Sequence, residues 1–296
     1  MLVGIVDIGT NTMHMNVFDC QKDCYEYIVS KRVSYLLLDY VEGGILNREG
    51  MDRLCKEIRT FQADFASWHT SAAYYFASAS LRNLLNQKEV LDKIFDQCGV
   101  CVDVISSKEE AKLGFLAAME SIEEEQGLFI DVGGGSSEIV TFMNRKMLLN
   151  VSLSLGSLSL YKQCVKATMP SEKEKERMKQ IVLAQLEELL PVELETMCVI
   201  GGSAKLIEKM MKQEKGIRGK ITIEQLDAFA DSFHEEEKDM ERIRQIRPDR
   251  VKTLVPGLII IQTIAHYYHV QSLHIVHQGV REGYLQSKLN TEKSLV

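Results

Sequence analysis

Two aspartates end two apolar runs in the same way. Val3-Gly4-Ile5-Val6-Asp7-Ile8-Gly9-Thr10-Asn11-Thr12 is echoed by Gly127-Leu128-Phe129-Ile130-Asp131-Val132-Gly133-Gly134-Gly135-Ser136-Ser137, with Asp7 and Asp131 124 residues apart. At that spacing Gly9 falls on Gly133, Thr12 on Ser136 and Phe18 on Phe142. A tight turn of glycine and hydroxyl residues directs backbone N–H groups into a concave surface that suits phosphate oxygens. A carboxylate at the end of the preceding strand suits a hard divalent cation such as Mg²⁺, or its water shell. Asp7 and Asp131 are therefore candidate metal ligands. Gly9, Thr10, Asn11 and Thr12 in the first turn, and Gly133, Gly134, Gly135, Ser136 and Ser137 in the second, are candidate phosphate holders. Two such turns facing each other would form a cleft for a chain of phosphates. A third phrase, Gly201-Gly202-Ser203, follows the apolar run Met197 to Ile200 and leads into a helical pattern. Its free N–H groups and partial positive charge offer another anion site, and a plain strand-to-helix turn explains it equally well.

The elements that must carry these turns are legible in outline. Each half opens with strands in series: Leu2 to Ile8, Met13 to Asp19 and Tyr25 to Val33, then Leu128 to Asp131, Glu138 to Met143 and Lys146 to Leu155. Helical patterns and further strands follow in both halves. Ser107 opens a helix from Lys108 to Glu123, and Ser171 with Glu174 forms a capping box before another helix. A long apolar helix is expected from Asp249 to Tyr268, bent at Pro256. This order, given twice, describes two related α/β domains. We place them at residues 1–118 and 119–296, with a closing helix at 281–296 that can return to the first domain.

Composition narrows the function classes. The 296 residues are 45% hydrophobic and 26% charged, enough for real cores. A formal charge of −7 excludes nucleic-acid binding by bulk electrostatics and requires local positive groups or metal to hold any polyanion. The longest apolar stretch, Leu254 to Tyr268, is too short for a membrane span. Seven cysteines, an odd number, together with a strand that starts at Leu2, are what a cytoplasmic protein with reduced thiols would show. Cys98 and Cys101, like Cys20 and Cys24, read as small apolar residues rather than metal ligands. His266, His269, His274 and His277 read as surface or satisfied core histidines. The basic run Lys238, Arg242, Arg244, Arg247, Arg250 and Lys252 reads as a solvated helix face.

Six phrases in order give a sharper reading: Asp7 to His14, Ser78-Ala79-Ser80-Leu81-Arg82, Ile105 to Leu113, Phe129 to Glu138, Ile200 to Ser203, and Gly279-Val280-Arg281-Glu282-Gly283. Together they resemble the exopolyphosphatase / guanosine pentaphosphatase phosphohydrolase family. The resemblance implies two ribonuclease-H-like domains of the actin, sugar kinase and heat-shock ATPase superfamily, with an active site in the cleft between them. It implies release of terminal orthophosphate from inorganic polyphosphate or a guanosine polyphosphate, and it allows a homodimer. By position in the motif it makes Glu110 the base that activates water, although Ser107 and Glu110 also fit a capping box. It adds Glu138 to the metal set, and His14 and Arg82 to the phosphate set. The chain departs from the family pattern at Lys112, where arginine is usual. It departs again at Tyr35 to Tyr40, which replaces a glycine-containing phrase and could remove a phosphate contact. A non-catalytic polyphosphate or alarmone sensor is the alternative, and a small-molecule kinase a further one.

Overall fold

In the computed structural model of the chain, residues 1–21, 24–187, 189, 193–234 and 237–293 are described. The last residues of the expected closing helix, 294–296, lie outside them. Two compact units divide the chain, Met1–Ser107 and Lys108–Val296.

The first unit contains β1 (Leu2–Ile8), β2 (Thr12–Cys20), β3 (Tyr25–Ser34), the short hairpin β4 (Val41–Glu42) and β5 (Ile45–Leu46), helix α1 (Arg48–Ser67), β6 (Ala72–Ala77), helices α2 (Ala79–Arg82) and α3 (Gln87–Cys98), and β7 (Val102–Val104). Its main sheet runs β3-β2-β1-β6-β7. β1 is antiparallel to β2 and parallel to β6. Apolar residues of β1 and β2 such as Val6, Ile8, Met13 and Met15 pack with Leu54, Ile58 and Phe61 of α1. That places the inward stripe of an amphipathic helix on one face of an alternating sheet.

The second unit contains α4 (Ser107–Ala118), β8 (Gln126–Val132), β9 (Ser137–Met143), β10 (Lys146–Leu153), α5 (Ser157–Cys164), α6 (Glu172–Leu186), β11 (Thr196–Ile200), α7 (Gly202–Lys215), β12 (Ile221–Thr222), α8 (Ile223–Ala230), α9 (Glu237–Ile246), α10 (Leu254–Tyr267), β13 (Ser272–Ile275) and α11 (Val280–Lys293). Its sheet runs β10-β9-β8-β11-β13-β12. The first five positions repeat the order and direction of the first sheet, and β12 adds an antiparallel edge. Both units are ribonuclease-H-like, as the duplicated sequence order implies.

Both faces of the second sheet are covered. The α10 face holds Leu128, Ile130, Val199, Leu258 and Ile261, while the α4 face holds Phe115, Phe129, Phe142, Cys198 and Ile200. The Phe115 ring meets Phe129 and Phe142 with centroids 5.8 and 5.5 Å apart. Placing the boundary at residue 118 gives α4 to the first domain, whereas these aromatic contacts tie it to the second sheet. Gly283 of α11 lies against the Leu113 backbone of α4. α10 starts at Leu254, and Asp249 belongs to a separate 3₁₀ turn, Pro248–Arg250. Pro256 thus falls in the first turn, where its missing N–H costs no helical bond, and it does not bend the helix interior.

Candidate functional site

In the second unit the Gly-rich turn is built from below by a helix. Gly133 N–H donates to the Ser136 carbonyl at 3.0 Å, closing the β8–β9 turn. A Cβ on Gly133 would stand 3.0 Å from that same oxygen. The Gly133 carbonyl accepts from Ser157 N–H, and the Gly134 carbonyl from Leu158 and Ser159, at 2.9 to 3.0 Å. These donors are the opening amides of α5, so the loop carbonyls satisfy a helix N-terminus. A trans peptide sets each N–H opposite the preceding carbonyl. The N–H groups of Gly134 and Gly135 therefore point away from α5, which is the orientation a phosphate loop needs. Gly156 permits this approach, because a Cβ there would lie 2.6 Å from backbone atoms of Gly134 and Gly135. Gly156 and Ser157 were not singled out in the sequence; the Gly-Ser step before an apolar run was the available signal.

Three carboxylates gather beside this turn. Asp131 on β8 pairs in register with Glu138 on β9. Glu138 is 1% exposed and Glu110, in the first turn of α4, is 8% exposed. The adjacent Glu109 is exposed. Burial, then the negative charges of Glu110 and Asp131, hold the Glu138 carboxyl well above the ordinary carboxylate range, with hydrogen bonds from Ser136 and Ser152 opposing. Ser152 donates to Glu138 Oε1 at 3.1 Å, while Oε2 is buried with no hydrogen-bond partner. The sequence reading omitted Ser152, although its cross-strand position opposite Glu138 on β10 follows from the hairpin register.

The turn Gly201-Gly202-Ser203 ends β11 and starts α7. Gly201 has φ +115°, and a Cβ there would meet the Val132 carbonyl at 2.5 Å. A side chain on Gly202 would collide with the Arg250 guanidinium, so the buried Arg250 lies directly over this turn. Ser203 Oγ donates to the Thr253 carbonyl at 3.1 Å, and Ser137 Oγ to the Leu155 carbonyl at 2.9 Å. Both hydroxyl protons are committed to the fold. Lys205, one α7 turn further, donates to the His277 carbonyl at 2.9 Å. Burial and Arg281 pull its pKa down, while Glu282, Asp131 and Glu208 support its charge. Three arginines of the basic run are paired: Arg242 with Glu214 at 2.7 Å, Arg244 with Glu237 at 2.5 Å and Arg247 with Asp249 at 2.9 Å.

The first unit repeats the turn with different side chains. Gly9 N–H donates to the Thr12 carbonyl at 3.1 Å, and Asp7 pairs in register with His14. Thr12 Oγ1 and His14 Nε2 are 2.9 Å apart. The Asn11 carbonyl accepts from Tyr35 and Leu36, and the Thr10 carbonyl from Leu37, each at 3.0 Å. Asn11 is 5% exposed, yet neither atom of its side-chain amide has a partner. A buried amide left this way is a strong pointer to a ligand contact. Tyr35, which replaces the family phrase, braces the turn through its backbone and donates its hydroxyl to the Gly50 carbonyl at 2.5 Å. Arg82 donates to the Ile105 carbonyl at 3.0 Å, so part of its guanidinium anchors the segment entering α4.

A family profile described as the Ppx/GppA phosphatase family matches residues 19–292. The chain belongs to the Ppx/GppA phosphatase family. Exopolyphosphatase 1 of Mycobacterium tuberculosis H37Rv is similar, at 24% identity over 99% of this chain and 89% of the relative. A putative exopolyphosphatase of Haemophilus influenzae is 24% identical over 96% of this chain and 90% of its own length. Among solved structures, the Aquifex aeolicus Ppx/GppA family member superposes with TM-score 0.81 at 22% identity, covering 99% of this chain and 98% of that one. An exopolyphosphatase from Cytophaga hutchinsonii superposes with TM-score 0.85 at 18% identity, covering 98% of both chains. These superpositions bear on the fold. Among the described residues no helix is long and apolar enough to cross a membrane.

Proposed function

We propose that this Ppx/GppA family member is a divalent-cation-dependent phosphoanhydride hydrolase that releases terminal orthophosphate from inorganic polyphosphate, with guanosine pentaphosphate as a second substrate of the same chemistry. The observation that carries this reading is the burial of Glu110 beside Glu138 and Asp131, at a turn whose Gly134 and Gly135 N–H groups are aimed outward. A glutamate serving only as a helix cap has no reason to be buried against two further carboxylates. The relatives named exopolyphosphatase supply the substrate class.

Glu138 Oε2, buried without a hydrogen-bond partner and flanked by Asp131, fits an all-oxygen site for Mg²⁺. Asp131 and Glu138 would hold the ion in this unit, and Asp7 would offer a carboxylate in the other. Bound there, a divalent cation supplies charge neutralisation for phosphate oxygens and orientation for water. The protein residues do the rest. Glu110 takes a proton from the attacking water, whose oxygen bonds to the terminal phosphorus as the bridging P–O bond breaks. Backbone N–H groups of Gly134 and Gly135, with Lys205, stabilise charge on the equatorial oxygens. The leaving chain departs as a phosphate anion, and no covalent enzyme intermediate is required. The test is orthophosphate release from long-chain polyphosphate and from guanosine pentaphosphate, side by side, in Mg²⁺ and in chelator. Release from either substrate that depends on Mg²⁺ supports the proposal. Tight binding of both without release would make the chain a sensor.

A further inference from the structure

A second cluster in the larger unit has metal-ligating chemistry of another kind. Cys198 on β11 and His274 on β13 are direct neighbours in the parallel ladder. Glu124, in the segment between α4 and β8, reaches the same spot. One donor atom from each of Glu124, Cys198 and His274 lies within 4.8 Å of the others. Two of these residues carry buried polar atoms with no hydrogen-bond partner, Glu124 Oε2 and His274 Nδ1, which stand 3.9 Å apart. Cys198 is fully buried. Lys220 takes the other carboxylate oxygen of Glu124, Oε1, at 2.9 Å and so fixes the group with Oε2 turned towards His274.

We propose that Glu124, Cys198 and His274 form a binding site for a borderline-soft divalent metal of the zinc class, separate from the carboxylate cluster around Glu138. One sulfur, one imidazole nitrogen and one carboxylate oxygen suit Zn²⁺ and do not suit Mg²⁺ or Ca²⁺. Metal–ligand bonds of about 2.0–2.3 Å put tetrahedral donors roughly 3.3–3.8 Å apart, so the three groups need to close by about 1 Å. Solvent completes the fourth position. Without a cation, burial and the Glu124 charge push the Cys198 thiol up to about 12. Binding therefore releases the thiol proton to solvent as the sulfur–metal bond forms. The carboxylate keeps its Lys220 contact, which orients it as outer partners of metal ligands commonly do. Spacing in the sequence could not reveal this set: the three residues come from three elements, and the close cysteine pairs and the histidine run pointed elsewhere.

The full chain, stripped of metal, is titrated with Co²⁺ and followed by its near-ultraviolet thiolate-to-cobalt charge-transfer band. The expected result is a band saturating at one equivalent and displaced by Zn²⁺. Co²⁺ held by the oxygen donors of Asp131 and Glu138 gives no such band. Cys198→Ser should abolish it, and Cys24→Ser with Cys101→Ser should leave it intact. His274→Gln, at a partly exposed position that tolerates the change, should weaken binding about 10–100-fold. Zn²⁺ at a hundredfold excess over Kd should raise Tm by roughly 5–10 °C. No thiolate band in the unmodified protein overturns the site. So does a band that survives Cys198→Ser, or an affinity unchanged in His274→Gln.

Discussion

Replacing Glu138 with glutamine separates the charge of this side chain from its shape. The carboxylate is 1% exposed, with Oε1 bonded by Ser152 and Oε2 unpartnered. Burial and the Glu110 and Asp131 charges raise its pKa in the folded chain. The folded state thus binds this proton more tightly than the unfolded chain does. The associated stability is complete below the unfolded value of about 4.3 and is lost as pH rises towards the higher folded value. At neutral pH the unmodified protein in chelator carries that loss, and Glu138→Gln does not. The glutamine carbonyl can still accept from Ser152, and its amide donors face carboxylates. Relieving one buried unsatisfied polar group is worth about 1–3 kcal/mol. For a unit of this size each kcal/mol moves Tm by roughly 2–4 °C, so Glu138→Gln should melt about 2–12 °C higher at pH 7 in chelator. The gap should shrink towards pH 4.5. Mg²⁺ should raise the Tm of the unmodified protein and leave the variant nearly unmoved, while orthophosphate release by the variant falls sharply. Thermal unfolding followed by circular dichroism across pH, with chelator or with Mg²⁺, measures all of this. A variant that melts lower than the parent in chelator at pH 7, or the same Mg²⁺ response in both, would falsify the reasoning.

Glu110→Gln should reduce orthophosphate release from polyphosphate by about 10²–10⁴-fold with little change in Tm; unchanged turnover removes Glu110 from the mechanism. Gly201→Ala forces a Cβ to 2.5 Å from the Val132 carbonyl at φ +115°, and chemical denaturation should show a loss of about 1–3 kcal/mol or more. Stability equal to the parent would mean the backbone there is not held. Tyr35→Phe leaves the buried Gly50 carbonyl without its 2.5 Å donor and should cost about 1–3 kcal/mol while leaving KM for polyphosphate unchanged. A raised KM with intact stability would restore a substrate role to this position.

The fold was legible because its strongest signal is periodic and repeated. The offset that pairs Asp7 with Asp131 also pairs Ile8–Met13 with Val132–Ser137 in the ladders, so sequence register became sheet register. Local capping chemistry was also readable where the cap acts locally, as at Ser171, whose N–H donates to Glu174 at 2.9 Å. Asn86, with Glu89 three residues on, has the same spacing and does open α3, but its side chain makes no cap bond to the helix amides. Its side chain accepts from Leu46 N–H and donates to the Leu46 carbonyl at 3.0 Å each, a tertiary demand that no local window contains. The α4 assignment shows the same limit: helicity is local, but which sheet Phe115 meets is not. In the site, residue types named the glycines and acids. The support from Ser157, Ser152 and Arg250 depends on distant chain segments meeting. Ser137 and Ser203 illustrate the converse, since hydroxyls chosen for phosphate by type are directed by tertiary packing to the Leu155 and Thr253 carbonyls.

The duplication also explains how one scaffold can divide two tasks. In each unit the aspartate near the end of the first strand faces a residue near the start of the next strand across the hairpin, and that partner differs. Glu138 stands opposite Asp131, whereas His14 stands opposite Asp7. Glu110 adds a third carboxylate to the second unit only. Like charges this close are tolerable when a cation or a proton is shared among them, and the raised pKa of Glu138 is the physical sign of that strain. The first unit instead presents a histidine hydrogen-bonded to Thr12 and a buried amide at Asn11 with unused donor and acceptor. A neutral amide donor and a turn of backbone N–H groups favour phosphate oxygens over cations. On the proposed function, the same backbone turn would serve metal and water in the acidic copy and anionic substrate in the neutral one. Exchanging the two partners tests that division. His14→Glu should weaken polyphosphate binding by adding negative charge beside Asp7, and Glu138→His should lose the Mg²⁺ response. Retained affinity in the first variant, measured as KM at fixed Mg²⁺, would show that the residue opposite the aspartate does not decide what each turn holds.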